Sequence, residues 1–165
     1  MKEPETYWGH TRGEFWASIE KVLALARHQI WLFDNAFDDW PLESKSTFDI
    51  FSESMLRIQT TMVADVPVNI LVQQPDWLEK HGVRLKELRK RFSAHIELRL
   101  VPQEYWTSES LAIVDQQHAV IRPHKDAYRS KTLIAQPSEL ENRLAKLRQI
   151  HALSTACLPV TTLGL

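Results

Sequence analysis

Short, wholly apolar runs alternate along this chain with longer stretches in which apolar residues recur every third or fourth position. Phe15, Ile19, Val22, Leu23 and Ala26 share one helical face behind a Thr11/Glu14 pair that fits a capping box, so a helix is predicted over about 12–28. "IWLFD" (30–34) follows as a buried strand ending in aspartate. Asn35, Asp38, Asp39 and Pro41 then mark a loop. Phe48, Phe51, Met55, Ile58 and Met62 make a second helical stripe, capped by Ser46 or Thr47 and running to about 63. "VNILVQ" (68–73) reads as a second buried strand. A third helical region opens at Pro75-Asp76, carries Leu85, Leu88 and Phe92 on one face, and has Gly82 as an interruption. "HIELRL" (95–100) alternates, as a strand with one wetter face does.

"LAIVD" (111–115) and "HAVIR" (118–122) are separated only by Gln116-Gln117, which predicts a hairpin. "KTLIA" (131–135) is a further strand, and Pro137-Ser138 opens a last helix with Leu140, Leu144, Leu147 and Ile150 on one face, to about 153. Early strands alternate with helices and late strands cluster. This order predicts a single α/β domain over 1–165, a layered α/β/α fold with a mixed sheet, parallel first and antiparallel at one side. Residues 1–10 read as a polar arm and 154–165 as an apolar tail.

Composition changes this picture little. Hydrophobic residues make up 44% and charged residues 25%, as in ordinary globular domains. A net charge of -1 means that any anion-binding role needs a local patch. Cys157 is the one cysteine, so no internal disulfide and no Cys/His zinc spacing is available, and a reducing compartment is expected. "MKEPETYWGH" does not read as a signal peptide, and no run reaches the roughly 18 apolar residues a membrane helix needs. The expected location is the cytoplasm, with no membrane partner.

The element order resembles one half of the phospholipase D superfamily from the first helix to the last, with "LALARHQIWLFD" and "VPVNILVQ" in the places of the family's first helix–strand junction and second strand. The family motif is His-x-Lys, four residues, Asp, and then Gly-Ser-x-Asn. Matching "LAIVD" to the apolar run that ends in the motif aspartate assigns that role to Asp115. It places Ser108 at the histidine and Ser110 at the lysine. Arg122, Pro123 and Lys125 fall at Gly, Ser and Asn. The literal His124-Lys125-Asp126 is no substitute, because histidine and lysine must project from one strand face at i and i+2. In the family the histidine attacks phosphorus and the lysine neutralises the phosphate, so the resemblance implies a frame without its nucleophile. It also implies a homodimer, since two halves normally share one cleft. Trp106 would then lie near the open edge, unless the apolar tail covers it.

Other residues carry candidate chemistry. Asp34, Asp38 and Asp39 follow the first strand, where open α/β sheets bind ligands, and Asp115 and Gln73 also end strands. Hard oxygen ligands there suit a divalent cation, although such a loop is ordinary turn chemistry, and no metal or cofactor is assigned. His118 and His124 flank the hairpin and are the best acid/base candidates of seven histidines. "RLKELRKRF" (84–92), with Arg122 and Lys125, offers an anion surface for a small anionic ligand or nucleic acid. Such a run is more commonly the wet face of a helix. Trp40 and Trp106 lie in loops, where they line a pocket or an interface or pack over the sheet end.

These observations favour a bacterial-type cytoplasmic domain of phospholipase D-like fold that is catalytically inactive and works as a binding or interaction module. Its partner would be an unknown protein or a small anionic ligand. Two alternatives stay open: a divergent phosphoesterase or nuclease using His118, His124 or the Asp34/Asp38/Asp39 cluster, and a nucleic-acid-binding accessory domain.

Overall fold

A computed structural model describes residues 2–61 and 65–160. Met62 of the second stripe, the predicted end of that helix near 63 and tail residues 161–165 lie outside the described residues.

Eight strands form one sheet in the order β1-β7-β6-β5-β2-β3-β4-β8. They are β1 (Glu5–Gly9), β2 (Ile30–Asp34), β3 (Val68–Val72), β4 (Ile96–Leu100), β5 (Ser110–Val114), β6 (His118–Arg122), β7 (Ser130–Ile134) and β8 (Thr155–Ala156). Strands β2, β3 and β4 run parallel, and every other pairing is antiparallel. The five strands predicted to share a sheet do so. Alternate residues of β2, β3, β5 and β6 serve two cores, which is why they read as nearly continuous apolar runs, whereas β4 gives Ile96 and Leu98 to one core only and alternates.

The helices are α1 (Arg12–Leu25), α2 (Lys45–Thr61), α3 (Asp76–His81), α4 (Val83–Arg91) and α5 (Glu141–Leu153). Phe15, Ile19, Phe51, Met55, Leu78 and Leu88 of α1–α4 pack over Leu32, Ile70 and Leu98 on one face. Leu144, Leu147 and Ile150 of α5 pack over Trp31, Phe33, Leu111 and Ile121 on the other. The fold is therefore a layered α/β/α domain.

Local chemistry sets the boundaries. Thr11 Oγ1 accepts the Glu14 N–H at 3.1 Å, and Glu14 reaches back to the His10 N–H at 3.3 Å, so the capping box forms one residue wider than predicted. Gly82 splits the third helical region into α3 and α4. A Cβ there would come 2.5 Å from the Leu78 carbonyl oxygen, which accepts the Gly82 N–H at 2.8 Å.

Two terminal segments differ from the sequence expectation. Residues 5–9, read as a polar arm, form edge strand β1 on β7. Thr6, Tyr7 and Trp8 favour strands, but an edge strand with largely exposed side chains shows no apolar run. Residues 155–156 of the tail add a short strand to β4.

Candidate functional site

Because β5 is antiparallel to β2, the end of β2, the end of β3, the start of β5 and the end of β6 all meet at one edge of the sheet. Asp34, Ser110 and Arg122 come together there. Asp34, 4% exposed, accepts the Ala36 and Phe37 N–H groups on Oδ2 at 3.1 and 2.7 Å and the Ser110 hydroxyl on Oδ1. Those bonds hold the turn after β2, where Phe37 takes a positive φ of 59°.

Arg122 is 1% exposed and fills the centre of this edge. Its guanidinium lies 5.2 Å from the Phe15 ring centre and 4.9 Å from that of Tyr128. It donates to the Ala127 carbonyl at 2.6 Å, to the Lys125 carbonyl and to Asp39 Oδ2 at 3.1 Å. Asp39 Oδ1 also takes the Tyr128 hydroxyl at 3.1 Å and the Arg12 Nε at 3.2 Å. A cleft of about 390 Å³ opens over Asp34, Asn35, Asp38, Asp39, Arg122, Lys125 and Asp126. Among the described residues no group of three or more His, Cys, Asp or Glu side chains is arranged to hold a metal ion. The carboxylates of Asp34 and Asp39 are engaged by the protein's own donors.

The motif positions separate. Ser110, at the lysine position, is buried and tied to Asp34. Ser108 is half-buried at the bend before β5. Asp115 lies at the opposite end of the sheet, which corrects its grouping with Asp34 and Gln73: the antiparallel β2–β5 pairing sets Val114 against Ile30. Asp115 accepts the Arg27, His28 and Gln29 N–H groups at 3.0, 2.8 and 3.0 Å, and its own N–H donates to the Gln29 carbonyl at 2.8 Å. The one surviving signature residue staples the α1–β2 loop to the hairpin.

The two histidines also part company. His118 pairs with Val114 at that same far end, four residues or about 13 Å along β6 from Arg122. It is 4% exposed, and its Nδ1 accepts the Ala135 N–H at 3.0 Å. Burial pushes its pKa below the usual imidazole value; the Asp115 charge opposes this and the Lys2 charge adds to it. His124 is exposed beyond β6, with Nδ1 accepting the Asp126 N–H at 3.2 Å. Of the two alternatives for Trp40 the structure shows packing: it is buried and stacks edge-on with Phe15 and Phe37. The basic run forms no common surface with Arg122. Arg89 is buried and donates to the Leu158 carbonyl at 2.8 Å, and Arg122 is enclosed at the sheet edge.

A second cleft of about 650 Å³ lies on the same edge, beyond β3 and β4. Gln73 and Trp106 both line it. Asn35 connects the two clefts: its Oδ1 accepts Nε2 of Gln73 and of Gln74, each at 3.2 Å. Asn35, Gln74, Tyr128 and Arg12 were not identified from sequence. Nothing in their local pattern distinguishes them from surface residues, and only strand pairing gathers them.

The frame, a mixed sheet with β5 and β6 side by side, is a phospholipase D-like fold, and comparison with solved structures agrees. The chain is similar to Nuc from Salmonella typhimurium, a phospholipase D family member (TM-score 0.67, 12% identity, 95% of this chain and 100% of that chain). It is similar to NucT from Helicobacter pylori (TM-score 0.59, 10% identity, 94% and 100%). It is also similar to TrmBL2, an archaeal chromatin protein with a novel mode of DNA binding (TM-score 0.64, 13% identity, 92% of this chain). The chain spans about half of TrmBL2, 54% of its length. No curated protein matches the chain. By sequence it belongs to the family described as a domain of unknown function, DUF7931, whose model matches residues 11–163.

Proposed function

We propose that this chain is a binding module that keeps the phospholipase D-like frame and performs no phosphodiester chemistry. The observation that carries the reading is the Ser110–Asp34 hydrogen bond. The position that would present a lysine to phosphate holds a buried hydroxyl directed at a carboxylate, and a carboxylate repels a phosphodiester. Ser108 could attack phosphorus only with a base beside it. His118 belongs to the far end of the sheet and His124 is exposed, bonded to the Asp126 backbone. Arg122, the buried cation at this edge, is already bonded to Asp39 and two carbonyls, and Lys125 lines the same cleft with Asp34, Asp38 and Asp39, with no histidine among the described lining residues.

The test is turnover of bis(p-nitrophenyl) phosphate in metal-free buffer and with Mg²⁺ or Mn²⁺. The expected result is no turnover by wild type and none by the Ser108→His/Ser110→Lys double variant, in which Asp34 still faces the lysine. Turnover that Ser108→Ala abolishes would end this reading. We also propose a cytoplasmic homodimer, because one half carries a single set of motif strands. Light scattering should give about twice the chain mass at micromolar concentration, and a concentration-independent monomer would refute the dimer.

One observation favours nucleic acid as a second reading. Trp8, 50% exposed on edge strand β1, has the Arg129 guanidinium and the Lys131 ammonium 5.1 and 5.3 Å from its ring centre. Aromatic rings beside cations are the parts of a single-strand binding surface. Fluorescence anisotropy with a labelled oligonucleotide tests it: salt-sensitive binding lost in Trp8→Ala would support it, and no binding at low salt would refute it.

A further inference from the structure

The larger cleft carries a more specific assignment, which rests on the reading of the chain as a binding module. Its lining includes Trp106, Gln73, Gln74, Gln103, Asp76 and Thr155, with no lysine, arginine or histidine among the described residues. Trp106 is 42% exposed, yet its orientation is fixed, because Nε1 donates to the Val101 carbonyl at 3.2 Å. The indole therefore lines the cleft in a held orientation.

The amides are preset too. Gln73 is 3% exposed; its Oε1 accepts the Thr107 N–H at 2.6 Å and its Nε2 donates to Asn35. A carboxamide has two N–H donors, and one of them on Gln73 is accounted for among the described residues. Gln74 also donates Nε2 to Asn35, which leaves its Oε1 as an acceptor in the same row. The described chain does not fill this cleft: β8 runs antiparallel to β4 from Thr155, and the Cys157 N–H bonds to the Leu98 carbonyl, so the backbone leads away from it.

We propose that this cleft binds a neutral polyhydroxylated ligand, a mono- or disaccharide, with one sugar face stacked on Trp106 and its hydroxyls bonded to Gln73, Gln74, Gln103 and Thr155. The C–H groups on one face of a pyranose are weakly positive, and the indole face is negative. Hydroxyls both donate and accept, which matches carboxamides better than it matches ionised groups. The lack of cations and the presence of Asp76 select against phosphorylated or carboxylated ligands.

Saturation-transfer NMR on the full chain tests this with D-glucose, N-acetylglucosamine, maltose and trehalose, and with glucose 6-phosphate and choline for contrast. At least one neutral saccharide should bind at about 10 mM, enough to populate a millimolar complex. Trp106→Ala should weaken that binding at least about tenfold, and Trp106→Phe, which keeps an aromatic face, by no more than about threefold. Gln103→Ala, an exposed change, should also weaken it. Failure of all four saccharides, binding of choline alone, preference for the phosphorylated sugar, or equal binding by Trp106→Ala would each overturn the assignment. The diester assay on the same sample is independent: turnover there would end the non-catalytic reading and leave the saccharide result to be judged by itself.

Discussion

Arg122 and Asp39 meet at 3.1 Å, with the arginine side chain 2% exposed and the aspartate 28%. Removing Arg122 leaves Asp39 with Arg12 and Tyr128 but takes the donor from the Lys125 and Ala127 carbonyls and empties the space between Phe15 and Tyr128. Arg122→Ala should destabilise the domain by about 2–4 kcal/mol in urea unfolding. Arg122→Lys should recover little of it, because the planar guanidinium between Phe15 and Tyr128 also holds two carbonyls. A Lys variant as stable as wild type would show that shape and fork geometry are unimportant here.

Asp115 should matter for stability and not for binding. Its carboxylate accepts three backbone N–H groups of the α1–β2 loop, and it takes a positive φ of 53° in the hairpin turn. Asp115→Ala should cost about 2–3 kcal/mol by urea unfolding. Asp115→Asn, which tolerates that backbone and keeps one acceptor oxygen, should cost less. Any saccharide affinity should be unchanged in Asp115→Asn, since the turn lies at the opposite end of the sheet from both clefts.

His118 predicts a pH dependence. Its Nδ1 accepts the Ala135 N–H, so the neutral ring carries its proton on Nε2, and burial lowers its pKa from 6.5. The unfolded chain therefore takes up this proton first as pH falls. The stability tied to neutral His118 is complete above about pH 6.5 and is lost as pH drops through the lower folded-state pKa. His118→Gln, whose side-chain oxygen can accept the same bond, should flatten the fall in urea midpoint between about pH 7 and pH 5 relative to wild type. Parallel curves would refute this.

Gly9 and Ser130 should show coupled energetics. They are cross-strand partners, and a Cβ on residue 9 would lie 2.8 Å from Ser130 Oγ and 3.2 Å from Glu14 Cβ. Gly9→Ala should cost about 1–3 kcal/mol. The Ser130 hydroxyl is buried without a hydrogen-bond partner among the described residues, so Ser130→Ala should be close to neutral. The double variant should be more stable than Gly9→Ala alone, as thermal melts of the four proteins would show. Strict additivity would place the clash on Glu14 instead.

The sequence by itself determined the layers. Runs such as Ile30–Asp34 and Val68–Val72 are apolar at four of five positions because both faces are covered, and the stripes of α1, α2 and α5 repeat at helical spacing because each buries one side. That Ser108 and Ser110 stand at the intervals where the resemblance expects histidine and lysine is likewise a matter of sequence spacing alone. Edge strand β1 was not legible, because a strand with largely exposed side chains leaves no hydrophobic period. Nor were the neighbours within the site. Asp34 and Asp115 both follow apolar runs, and in sequence they look equivalent. The antiparallel turn of β5 against β2 sends them to opposite ends of the sheet, makes Asp34 the partner of Ser110 and makes Asp115 a staple for the α1–β2 loop. Strand direction is fixed by long-range backbone pairing, which local composition does not encode. The tertiary structure alone therefore decided that Asn35, Gln73, Gln74 and Trp106 line one edge.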